Sequence, residues 1–149
     1  QLGDGGLQLL EFLELRGAQG LGAAAGADDG APCAAALAAL DIVEGADDLR
    51  ARLTENAQYW RAGLEQAGFT LLPGSHPIIP VMLGDAKLAQ TMAADLYQRG
   101  VHVAPFFFPV VPKGQARIRT QMNAALTRDD LDFALNAFTQ AGKAIGVLK

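Results

Sequence analysis

Apolar positions recur at helical spacing along several stretches of this chain, and at every second position along one. In residues 7–16, LQLLEFLELR, the set Leu7, Leu10, Leu13 with Leu9, Phe12, Leu15 makes a broad apolar surface and predicts a helix. Residues 17–32 are almost entirely glycine, alanine and small polar residues and predict a loop or connection. Alanine content predicts a second helix over 33–43. A third runs through 46–68, with Leu49, Leu53, Trp60 and Leu64 on one side. Asp47 and Asp48 suit its positive end, and Gly68 suits the position just past its last turn. Asp85 is placed to cap a helix that ends at Gly100. Thr127 to Asp130, TRDD, reads as a capping box for a helix over 131–148, whose stripe is Leu131, Ala134, Leu135, Phe138 and Ala141.

Between these helices lie short apolar runs at 69–72, 78–84 and 101–105, each predicting a strand. Pro80 limits how the second can pair, because proline has no N–H to give a ladder. Residues 115–122, QARIRTQM, alternate strictly. Ala116, Ile118 and Thr120 fall on one face of the strand, Arg117 and Arg119 on the other. Helices and short strands in this order after residue 45 predict an α+β fold: a small, mainly antiparallel sheet covered by helices on one face.

Composition narrows the function classes. The chain has 149 residues, 50% hydrophobic and 19% charged, with a net charge of −4. An acidic balance without a basic cluster argues against nucleic acid as a partner. No apolar run approaches the ~20 residues needed to span a bilayer, so no membrane partner is expected. One cysteine, Cys33, cannot form an internal disulfide. With no basic leader at the N-terminus, a cytoplasmic location is expected. Cys33 lies in PCAAALAAL and is expected to be a small buried residue. His76, in a proline turn, and His102, in a predicted strand, give no metal-ligand spacing with it, so no metal is expected.

The chemistry concentrates in residues 105–121, PFFFPVVPKGQARIRTQ. Two guanidiniums on one strand face repel unless solvent or an anion separates them, and an arginine fork matches a carboxylate or phosphate in bidentate fashion. A solvated strand face with acidic neighbours is the alternative. The preceding loop is stiffened by Pro105, Pro109 and Pro112. Phe106, Phe107 and Phe108 cannot all point inward from one extended segment, so at least one is expected to face a cleft or a partner. Lys113, in the turn beside the arginine strand, could add positive field there, as could Arg117.

Three strings, HPIIPVMLGDAKLAQ (76–90), PFFFPVVPKGQARIRTQM (105–122) and AFTQAGKAIGVL (137–148), resemble the glycine C-acetyltransferases. These are α-oxoamine synthases, pyridoxal-phosphate enzymes of aspartate-aminotransferase fold. The resemblance divides the chain into an N-terminal helix with its Gly/Ala-rich connection (1–33) and a C-terminal small domain (34–149). It implies that Arg119 grips the carboxylate of the amino-acid substrate. It also implies that Phe107, Phe108 and Val111 help wall the site. The reaction implied joins glycine and acetyl-coenzyme A to 2-amino-3-oxobutyrate, in threonine and glycine metabolism.

The departures from that pattern remove chemistry and leave packing. The family forms its Schiff base through a lysine just upstream of a glycine-rich stretch, and QLGDGGLQLL contains none. The first lysine is Lys87. The family's large domain, which holds the cofactor phosphate and ring, has no counterpart. Leu126 stands where the family has histidine, and residues 17–32 replace an aromatic, polar segment. The expectation is therefore a chain with no catalytic residue of its own, no cofactor when alone, and no turnover alone. Its partner would be a missing large domain or further copies of itself. A non-catalytic fragment or redesigned domain acting as a binding or self-association module is the alternative.

Overall fold

The computed structural model describes residues 30–149, so the helix predicted over 7–16 and nearly all of the loop at 17–32 lie outside the described residues. Two compact units divide the chain, Gln1–Ala46 and Asp47–Lys149. In the first, helix α1 spans Gly30–Glu44. Its apolar side chains are spread around the helix, and Leu37, Leu40, Ile42 and Val43 are all exposed. For the same reason Cys33 is exposed, against the expectation of burial. An alanine-rich helix without an apolar stripe has no face that burial selects.

The second unit runs α2 (Asp47–Ala67), β1 (Ile78–Gly84), α3 (Ala86–Gln98), β2 (Ala104–Phe106), β3 (Ala116–Gln121) and α4 (Arg128–Ala144). The strands form one antiparallel sheet in the order β1-β3-β2. Pro80 is accommodated because β1 lies at an edge. Alternation sends Ile79, Val81, Ala116, Ile118 and Thr120 to the helix-covered face. There they meet Trp60 and Leu64 of α2, Met92 and Leu96 of α3, and Leu131, Phe138 and Ala141 of α4. Each fully buried large side chain of this set stabilises the fold by about 1.5–3 kcal/mol. The predicted α+β layer is the observed one.

Polar groups inside this core are matched. The Trp60 indole N–H donates to Thr120 Oγ1 at 2.9 Å, and the Thr120 hydroxyl donates to the Ile79 carbonyl at 2.7 Å. Asn56, also buried, donates through Nδ2 to the carbonyls of Asn123 and Leu126, both at 3.0 Å. Asp85 caps α3, accepting from the N–H groups of Lys87 and Leu88, and Gly100 follows its end at φ +85°. Thr127 and Asp130 form a reciprocal capping box on α4.

Three local expectations are corrected. Residues 69–72 make no strand, only a bridge from Leu71 to Val81, since Pro73 cannot continue a ladder. Residues 101–103 also stay outside the sheet, leaving His102 off any strand. The Val101 N–H turns back to the Leu96 carbonyl at 2.9 Å and closes the end of α3, so β2 begins only at Ala104. Leu49, in the first turn of α2, lies beyond the core's edge and is exposed.

Candidate functional site

The face of the sheet opposite the helices carries the arginines. Register places Met82 of β1 and Phe106 of β2 on either side of Arg117, and Pro80 and Ala104 on either side of Arg119. Cross-strand partners share a face, so Arg117, Arg119, Phe106, Met82, Pro80 and Ala104 form one open surface. Arg119 is exposed and Arg117 half-buried. The Arg119 guanidinium lies over the Phe106 ring, 4.8 Å from its centroid. Such a stack is worth about 0.5–1 kcal/mol at an exposed site and steadies the fork without using its N–H donors. Among the described residues no carboxylate pairs with Arg119; the ion pairs are Arg50–Asp47, Arg99–Asp95 and Arg128–Glu55. A rigid, unpaired fork on a strand can take a carboxylate in bidentate fashion.

The proline-bracketed loop forms a separate feature. Phe107, Phe108, Pro112, Lys113 and Gly114 line a cleft of about 380 Å³ together with Gly84, Asp85, Ala86 and Ala116. Lys113 Nζ sits 5.1 Å from the Phe108 ring centroid. The Asp85 carboxylate in this cleft is already engaged by two backbone N–H groups. Val111 is buried and does not line the cleft. Neither arginine lines it. The structure therefore brings Phe107, Phe108 and Lys113 together in one place and Arg117 with Arg119 in another.

Phe106 is the residue that sequence reasoning passed over. The resemblance singles out Phe107 and Phe108, yet Phe106 lies under the arginine. The signal was available: extending the period-two alternation through Ala104–Phe106 puts Ala104 and Phe106 on one face.

Pyridoxal-phosphate chemistry draws attention to the lysines. The chain's four lysines, Lys87, Lys113, Lys143 and Lys149, are all exposed, on α3, the loop, α4 and the C-terminus. Lys113, the lysine at the cleft, faces an aromatic ring. No group of three or more His, Cys, Asp or Glu side chains suited to a metal occurs among the described residues. Nor is any described helix long and apolar enough to cross a membrane.

The class of protein to which this helix-backed sheet belongs is given by its relatives. Residues 25–138 match the aminotransferase class I and II family, and the chain belongs to it. Within that class its similarity runs to the α-oxoamine synthases. It is 52% identical over 115 residues to the 2-amino-3-ketobutyrate coenzyme A ligase of Escherichia coli K12, covering 77% of this chain and 29% of that protein. It is 42% identical over 118 residues to the 8-amino-7-oxononanoate synthase of Thermosipho melanesiensis, covering 79% of this chain and 30% of that one. The fold superposes on Sphingomonas wittichii serine palmitoyltransferase with a TM-score of 0.74 at 28% identity, over 78% of this chain and 30% of that structure. The chain thus spans less than a third of the length of the relatives it matches.

Proposed function

We propose that residues 34–149 are the small domain of a glycine C-acetyltransferase, and that their part in the reaction is to hold the carboxylate of the amino acid. In that reaction glycine and acetyl-coenzyme A give 2-amino-3-oxobutyrate and coenzyme A. The observation that carries this reading is Arg119: exposed, stacked on Phe106, and unpaired with any described carboxylate. The 52% identity to the coenzyme A ligase supports the choice of reaction. The chain alone is inactive in this reading, since its lysines, on α3, the loop, α4 and the C-terminus, lie off the sheet that carries Arg119. Pyridoxal phosphate supplies the electron sink for such chemistry when it is bound in a complete enzyme.

The test is a pyridoxal phosphate titration of the chain followed by visible absorbance, with and without glycine, beside a direct glycine titration. No saturable, glycine-sensitive band is expected. Glycine is expected to bind weakly to the parent and to lose at least about tenfold in affinity on Arg119→Ala, matching the 1.5–3 kcal/mol of a charged hydrogen bond. A glycine-sensitive band with turnover would overturn the inactivity. Equal glycine binding by Arg119→Ala would overturn the assignment of Arg119.

A second reading, self-association, is favoured by one observation. Phe108 and Val110 stand 56% and 71% exposed at the tip of the proline loop. Exposed aromatic and aliphatic side chains on one loop favour contact between copies. A molecular mass that rises with concentration in the parent and not in Phe108→Ser would support this; a monomer at all concentrations would dismiss it.

A further inference from the structure

Arg117 has a defect that Arg119 lacks. Among the described residues, its Nε is the one buried side-chain nitrogen or oxygen without a hydrogen-bond partner. A charged donor left idle in that way is destabilising. The sheet offers it no carboxylate. Its cross-strand neighbours are Met82 and Phe106, and none of the residues of β1, β2 or β3 is acidic. The open face is therefore cationic and partly apolar, within a chain whose net charge is −4.

The two arginines also differ in access. Arg119 is exposed, so a freely diffusing carboxylate can reach it. The Nε of Arg117 is covered, so it suits a carboxylate flanked by apolar side chains, which displace the present cover and restore it around the new bond. We propose that Arg117 anchors a carboxylate on a protein surface packed against the open sheet face. That surface belongs to the part of the longer fold that this chain does not span, given that the chain covers 29% of its Escherichia coli relative. The proposal rests on assigning Arg119 to the soluble substrate and gives its neighbour the complementary task. Arg117 is then a docking residue that costs the chain stability until the partner surface arrives.

The test uses the whole chain, labelled so that the Nε–H signals of Arg117 and Arg119 are seen separately by NMR. One probe is a blocked Leu-Glu-Leu peptide, with its Leu-Gln-Leu counterpart as control; the other is glycine. The glutamate peptide is expected to move the Arg117 signal saturably, the glutamine peptide to leave it still, and glycine to move Arg119 alone. Arg117→Met, which keeps the stem and removes the idle donor, is expected to melt at a higher temperature than the parent. An Arg117 signal indifferent to the glutamate peptide would overturn the proposal. So would an Arg117→Met chain that melts lower, because Arg117 would then have a partner within the chain. So would glycine moving both signals, since Arg117 would then be a substrate ligand. If instead the peptide moves Arg117 and glycine leaves Arg119 still, the docking role stands and the substrate role of Arg119 falls.

Discussion

Thr120 shows how one hydroxyl can couple a helix to a sheet. It accepts from Trp60 and donates to the Ile79 carbonyl, so three buried polar groups are satisfied at once. Thr120→Val keeps the shape and removes both side-chain bonds, leaving the Trp60 indole N–H unpaired in the core. The expected loss is about 1–3 kcal/mol by denaturant unfolding, and a loss under about 0.5 kcal/mol would show that water fills the gap. Asp130 works at the surface instead. Hydrogen bonds from the Thr127 hydroxyl and then the Thr127 backbone N–H hold its carboxyl below the ordinary aspartate value of 3.8. A lowered folded value means the contribution is present above that range and lost as pH falls through it. Thr127→Ala should cost about 1 kcal/mol near neutrality. The difference between parent and variant should shrink on acidification to about pH 3, and a gap that is constant with pH would contradict the assignment.

Helices α2 and α4 are tied by an exterior brace as well as by the core. The Tyr59 hydroxyl donates to Asp132, while Arg128 lies over the Tyr59 ring at 3.8 Å and pairs with Glu55 at 2.9 Å. The bond to Asp132, chiefly, raises the Tyr59 pKa above 10.0. With the folded value raised, this contribution is complete below the ordinary phenol range and lost as pH climbs through the raised value. Subtracting the phenolate absorbance titration of Tyr59→Phe from that of the parent should give a single phenol with its midpoint above 10.0. A midpoint at or below the ordinary value would mean the brace opens in solution. This brace was not legible in the sequence, because Tyr59 and Asp132 meet only once the two helices are packed. What was legible is local. The caps at Asp85 and Thr127, the glycines after α2 and α3, and the alternation of β3 all depend on a few adjacent residues. Strand ends are decided by competition between distant groups, which is why 69–72 and the first half of the strand predicted over 101–105 stay outside the sheet. The same limit hid the split between the Phe107–Phe108 cleft and the arginine face: loop residues give no period from which to infer their side.

At the scale of the whole chain, the question is what the first unit contributes to the second. Among the described residues, the buried core cluster of the second unit runs from Ala57 to Leu148. Its caps, its sheet and its matched polar groups likewise all lie after Ala46. A helix-backed sheet with this many buried side chains should fold as residues 47–149 alone. Residues 47–149 expressed alone are therefore expected to unfold in one cooperative transition, and to melt within a few degrees of the full chain, about the shift that 1 kcal/mol produces at this size. Arg119 should respond to glycine in the shorter piece as it does in the parent, since Phe106 beneath it and β1 and β2 beside it are all retained. Loss of the cooperative transition would mean that the N-terminal segment completes the fold. A transition kept while the glycine response is lost would mean that the segment completes the site, and the carboxylate clamp would then have to be sought across both units.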